Sequence, residues 1–262
     1  MYFVFPTQLL CTLLLTTLLL LLLNSNNNSQ VLAAYLFTAN STSQLARVQG
    51  DLQFQEVTFV SAGENFSLAI SDGKVYSWGS HATALGIGGT PLVTKQDFPA
   101  VLGGSLVGRT ITTVRACHKH ALALDSTGKV HAWGANAKGN LGLGDTTARY
   151  TPTEITSGLS DVTDICCGDE YSIALTSTGK VYSWGKVIGG SSQELAPTQK
   201  GSLSSITKIS CGRAHAGAVT GGGTLNVWGD NTNKQLGVFI SLTPTIPTAL
   251  MSSVVDISFG AD

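Results

Sequence analysis

Charge is scarce in this chain of 262 residues. Lys and Arg number 15, Asp and Glu 16, and together they are 12% of the sequence, for a formal net charge of −1. No basic patch or tail stands out. The electrostatic footprint that phosphate-backbone binding requires is therefore missing, and nucleic acid is excluded as an expected partner. Outside the N-terminal leader no apolar run keeps a period of 3.6, so few helices are expected. Signatures of chemistry are missing too. There is no Gly-x-Ser-x-Gly elbow to expose a nucleophilic serine. There is no Gly-x-x-x-x-Gly-Lys-Ser/Thr phosphate loop, and Gly86-Ile87-Gly88-Gly89 resembles one by glycine count alone. Carboxylates are scattered without paired spacing. The expectation is a protein that is not an enzyme, with no cofactor and no bound metal.

What the chain does have is one phrase said four times. It spans residues 63–79, 117–134, 168–185 and 212–229, and each copy ends in Trp-Gly. The tryptophans are Trp78, Trp133, Trp184 and Trp228, in steps of 55, 51 and 44 residues. A period near fifty marks a repeat architecture. Each copy opens with Gly63, Cys117, Gly168 or Gly212. A strand of alternating small and large residues follows, as in Ala121-Leu122-Ala123-Leu124, and such a pattern suits burial on both faces. Gly73, Gly128, Gly179 and Gly222-Gly223 mark tight turns. The returning strand ends at the Trp, and Gly79, Gly134, Gly185 and Gly229 close it. A β-branched pair precedes each copy: Val57/Val60, Ile111/Val114, Val162/Ile165 and Ile206/Ile209. A fifth pair, Val254/Ile257, opens one more unit just before Asp262. Four short strands per unit, stacked radially, make an all-β propeller of about four complete blades plus the start of a fifth. No Trp-Asp dipeptide of the WD type occurs.

The pattern G-x-x-[H/Y/F]-x-x-A-[L/I/V], then G-K-V-[Y/H]-x-W-G, then N-x-x-G-x-L-G-x-G resembles the regulator of chromosome condensation repeat. The resemblance runs from about Glu56 to Asp262. It implies a propeller whose family rings have seven blades. This sequence departs from the pattern at Phe66 in the first unit and at Lys186-Val187-Ile188-Gly189-Gly190 in the third. A blade cannot bury its apolar faces alone. The expectation is therefore a chain that is the N-terminal part of a longer protein, with ring closure by association as the other reading.

Residues 1–23 form a leader, 24–48 an Asn/Ser-rich spacer, and 49–262 the repeats. Leu9–Leu23 is apolar apart from its threonines and Cys11. Its fifteen residues match a signal-peptide core better than a spanning helix of about twenty. The readings are a cleaved signal peptide, a signal anchor that would be the chain's one membrane contact, or a misplaced gene start that would leave the protein cytoplasmic. Secretion makes Asn40 and Asn65 candidate glycosylation acceptors, with Asn27 a third Asn-x-Ser/Thr match, in the spacer.

Cys167 and Cys211 occupy equivalent repeat positions and Cys117 lies one step away. That equivalence favours small apolar packing. A disulfide set and a zinc site involving Cys117, Cys166, Cys167 and Cys211 are the other readings, and the sequence leaves the disulfide state open. Adjacent Cys166 and Cys167 point to opposite strand faces. His120 and His215 share their repeat position with Phe66 and Tyr171, so the site asks for a flat, partly buried ring, and a structural role is favoured over acid–base or metal chemistry. The four tryptophans read as strand ends and not as a light-sensing cluster. Functionally, the expectation is a non-enzymatic interaction scaffold for a protein partner, with binding loops at 80–96, 186–200 and 238–247. The resemblance also implies guanine-nucleotide exchange on a small GTPase, and a secreted inhibitor or adhesion module is the third reading.

Overall fold

The computed structural model describes residues 18–22, 33–37, 52, 55–88, 93–237 and 248–260. Strands β1 (Leu18–Leu22) and β2 (Ala33–Phe37) pair antiparallel, with Leu18 opposite Phe37. Most of the leader lies outside the described residues, as do Asn27 and Asn40. Among the described residues no helix is long and apolar enough to cross a membrane.

Four four-stranded antiparallel sheets follow, each a meander in chain order. Blade 1 is β3 (Phe59–Ala62), β4 (Phe66–Ser71), β5 (Lys74–Gly79) and β6 (Gln96–Val101). Blade 2 is β7 (Ile111–Ala116), β8 (His120–Asp125), β9 (Val130–Gly134) and β10 (Arg149–Glu154). Blade 3 is β11 (Val162–Cys167), β12 (Tyr171–Thr176), β13 (Val181–Lys186) and β14 (Gln193–Gln199). Blade 4 is β15 (Ile206–Cys211), β16 (His215–Thr220), β17 (Leu225–Gly229) and β18 (Thr248–Met251). One turn of 3-10 helix, Gly104–Leu106, joins blades 1 and 2.

The first strand of each blade packs on the first strand of the next, so β3, β7, β11 and β15 lie side by side at the inner edge. The second strands sit inside their sheets, between their first and third strands. Accordingly β4, β8 and β12 are buried at every residue, and the small-large alternation fills both faces. The fourth strands form the outer edge, where a residue without an N–H is tolerated. They carry Pro99, Pro152 and Pro197.

The glycine turns tie one blade to the next. The carbonyls of Gly73, Gly128 and Gly179 accept from the N–H groups of Ile111, Val162 and Ile206, the first residues of the following blades. Gly223 accepts from Val254 in the same way. Residues 254–260 therefore dock where the first strand of a fifth blade belongs, with Ile257 and Phe259 against the Val219, Leu225 and Val227 cluster. The sequence predicts a strand there. The structure forms none, because no neighbouring strand among the described residues pairs with it.

Candidate functional site: the loop face and the inner rim

Each repeat glycine is small for a stated reason. A Cβ on Gly63, Gly168 or Gly212 would enter the ring of Phe66, Tyr171 or His215, three residues on. The ring is drawn back over the glycine by a bond from the glycine N–H to the ring residue's own carbonyl. All four rings at this position are buried. The Tyr171 hydroxyl lies 2.7 and 2.6 Å from the carbonyls of Gly212 and His215 in blade 4. Burial, and then the nearby Asp169 charge, push its phenol well above the ordinary range. Blade 2 differs in having Cys117 in the glycine place; its ring is His120, as blade 4 has His215.

His120 Nε2 lies 3.0 Å from Ser172 Oγ, and that hydroxyl donates to the Asn140 carbonyl at 2.8 Å. The ring N–H is therefore on Nε2. Burial lowers the imidazole pKa to about 3, with the His118 charge acting in the same direction.

Every Trp reads as a strand end in the sequence. In the structure Trp133 and Trp184 also bridge blades. Trp133 donates its indole N–H to the Ala84 carbonyl of blade 1 at 2.9 Å, and Trp184 donates to Asn140 of blade 2 at 2.9 Å. The loop above each ring must come very close. A Cβ on Gly86 (φ +70) or Gly142 (φ +71) would strike the indole of Trp133 or Trp184. Sequence reasoning missed that Leu85-Gly86 of blade 1 plays the part of Leu141-Gly142. The signal was present, but the blade 1 loop is one residue shorter and has His81 where blade 2 has Asn136. Ile188 of blade 3 serves likewise, buried in one cluster with Trp228.

The cysteines require a correction. Apolar packing is the favoured sequence reading, yet all four pair: Cys117 with Cys167, and Cys166 with Cys211. The inner rim explains it. One residue past the β-branched pair, the side chain reaches forward to the next blade. Ser61 Oγ accepts from Ala116 N–H at 2.8 Å, Ser210 Oγ from Phe259 N–H at 3.0 Å, and Arg115 Nε donates to the Ile165 carbonyl at 2.8 Å. Cys166 occupies this forward position and meets Cys211. Cys167, one residue on, faces back and meets Cys117. The opposite orientation of the adjacent pair, legible in the sequence, is what lets them bond to different blades.

Two sets of loops share one face of the arc: those between first and second strands, and those after each Trp-Gly. The first set carries Glu64, His118, Asp169 and Arg213, one per blade. They pair across blades, Glu64 with His118 at 3.2 Å and Asp169 with Arg213 at 2.8 Å. Such exposed pairs stabilise little, about 0–1 kcal/mol each. A cavity of about 430 Å³ opens among these residues and the rim cysteines. A second, of about 650 Å³, lies between blades 3 and 4 and is lined by Glu170, Lys186, Ile188, Arg213, Asp230 and Gln235, among others. Asn65 is exposed on this face. Of the expected binding loops, the described parts of 80–96 lie here. Of the second, 187–192 is loop, because Lys186 ends β13 and 193–199 is β14. Residues 238–247 lie outside the described residues.

On the opposite face the structure joins three residues that the sequence did not connect. Ser105 Oγ lies 2.7 Å from His131 Nδ1, and His131 Nε2 lies 3.2 Å from Asp125 Oδ2. Asp125 Oδ1 also accepts from Thr127 Oγ and from the N–H groups of Thr127 and Lys129. Burial favours neutral Asp125, but these bonds outweigh it and hold the carboxyl below its usual range. Burial lowers the His131 pKa against the pull of Asp125. The His131 side chain is fully buried, and Arg109 lies 3.8 Å from the same Oδ2. The chain fastens the 3-10 turn to blade 2.

Blades built this way, with glycine-backed rings, inter-blade tryptophans and inward-facing first strands, define a propeller of interlocked repeats. The Regulator of chromosome condensation (RCC1) repeat profile matches residues 127–175, and a second profile of the same description matches 206–235. Over these two stretches the chain carries repeats of the RCC1 type. It is 35% identical over 133 residues to the human "Probable E3 ubiquitin-protein ligase HERC4", covering 50% of this chain and 12% of that one. It is 32% identical over 162 residues to "Protein pim1" of Schizosaccharomyces pombe, covering 53% and 30%. The chain thus spans less than a third of the length of these curated relatives. Among solved structures, human WBSCR16 aligns with a TM-score of 0.73 at 26% identity, over 84% of this chain and 58% of that one. Yeast RCC1 (Prp20), crystallised with Kap60, aligns with a TM-score of 0.68 at 18% identity, over 87% and 54%.

Proposed function

We propose that the protein is a non-enzymatic interaction scaffold whose loop face binds a protein partner. The observation that carries this is the contrast within each blade. The backbone, rings and tryptophans repeat, while the loops on one face differ in length and charge around two cavities. Variable loops on a rigid frame are the usual place for binding residues. The relatives support a module over a catalyst, since the shared stretch is 12% of HERC4 and 14% of human HERC5. The resemblance to yeast RCC1, at 18% identity, argues for the fold and not for nucleotide exchange.

We further propose that the protein works in the secretory pathway or outside the cell. Two disulfides support this, because such bonds persist in oxidising compartments. The exposed Asn65 in an Asn-x-Ser site adds to it. The test is capture of a binding partner from culture medium by the full chain, repeated with Lys119→Glu/Lys186→Glu. Both lysines are exposed on the loop face. The variant is expected to lose at least tenfold in affinity with unchanged circular dichroism. Unchanged affinity would exclude this face. Acceleration of nucleotide release from a panel of small GTPases would favour exchange instead.

A further inference from the structure

Blade 2 breaks the repeat at the glycine position. Cys117 stands where the other blades have Gly63, Gly168 and Gly212, and the ring that follows is His120. The sulfurs of Cys117 and Cys167 and a ring nitrogen of His120 all lie within 4.8 Å of one another. His120 is fully buried. Its Nε2 carries the hydrogen and gives it to Ser172. Nδ1 is then a bare lone pair, and it has no hydrogen-bond partner among the described residues. A buried acceptor left unmet costs on the order of 1–3 kcal/mol and calls for a reason. Phe66 fills the same position in blade 1 without that cost. The cavity of about 430 Å³ is lined by Cys117 and Cys167, so the site has an entrance.

We propose that Cys117, Cys167 and His120 Nδ1 form a zinc-type metal site that opens when the Cys117–Cys167 disulfide is reduced. A dithiol reductant supplies two electrons and two protons. The S–S bond breaks, two thiols form, and the reductant leaves as its own disulfide. Zinc binding then releases both thiol protons to solvent, and each sulfur donates an electron pair. The neutral imidazole is the third ligand. The fourth position faces the cavity, where water can reach it. Two thiolates and an imidazole suit Zn²⁺. The pair Cys166–Cys211 joins no such group among the described residues.

The test uses the full chain, reduced anaerobically, with Co²⁺ as the spectroscopic probe. One equivalent of Co²⁺ is expected to give thiolate-to-metal charge-transfer absorption that Zn²⁺ abolishes, while the oxidised chain shows none. Cys117→Gly restores the residue of the other blades and should remove the band. His120→Phe, which copies the ring of blade 1, should keep a thiolate band but weaken affinity at least about tenfold. Cys211→Ser should change neither. The proposal fails if the reduced, folded chain shows no band, or if the band survives Cys117→Gly. It fails equally if reduction alone abolishes the native circular dichroism, because the site requires assembled blades.

Discussion

Trp133 belongs to blade 2, yet its indole N–H serves blade 1. It is fully buried, and its partner is the carbonyl of Ala84, which is buried as well. Trp133→Phe removes the donor, orphans that carbonyl and leaves a small cavity. The expected loss is roughly 2–4 kcal/mol, read as a lower urea midpoint at unchanged slope. A loss within ~0.5 kcal/mol, the range of an ordinary surface change, would show that the bridge is incidental. His120 governs a pH effect at the same scale. Its pKa is about 3 in the folded chain, against an ordinary 6.5 for imidazole. The unfolded chain therefore binds a proton that the folded chain refuses, so this contribution to stability is fully present above about pH 6.5 and declines as pH falls toward 3. His131 and His81, also lowered by burial, act in the same direction. His120→Phe should flatten the loss of stability between about pH 6.5 and 4 in denaturant titrations. Parallel curves for variant and parent would contradict the assignment.

Between elements, the inner rim repeats a single contact in two chemistries. A serine hydroxyl or arginine reaches the next blade at three boundaries, and Cys166 makes the same reach covalently. The Cys166–Cys211 bridge closes a loop of 45 residues, so cross-linking should stabilise by about 4 kcal/mol through the unfolded state. The Cys166→Ala/Cys211→Ala variant tests this, with a drop in guanidinium midpoint as the expected result. No change would mean that the bridge does not form in solution. The second and third strands were legible because glycine turns and Trp-Gly ends bracket them, and because residues such as Leu122 and Ile173 alternate with small neighbours. The fourth strands were not. Sequences such as Gln193–Gln199 carry proline and little alternation, and only their place at the outer edge makes them strands. The pairing of the cysteines, which the sequence left open, and the Ser105–His131–Asp125 chain were not legible either. Each depends on which side chains face across a blade boundary, and a register of that kind is not written within one repeat.

At the scale of the molecule, the two faces of the arc have different work. The face of the glycine turns is closed down by bonds between blades, from Gly73 to Ile111 through Gly223 to Val254. The loop face carries the cavities, the unlike loops and the cross-blade pairs Glu64–His118 and Asp169–Arg213. The repeat framework behind that face was readable from the spacing of four tryptophans. Its cavities were not, because each forms where loops from adjacent blades meet. Hydrogen exchange of the chain with and without its captured partner tests the scaffold claim most directly. Added protection is expected at residues 63–65, 80–88, 117–119, 168–170, 186–192 and 212–214, with the turns at 72–73, 126–128 and 177–179 unchanged. Protection confined to those turns or to the outer strands would contradict the claim.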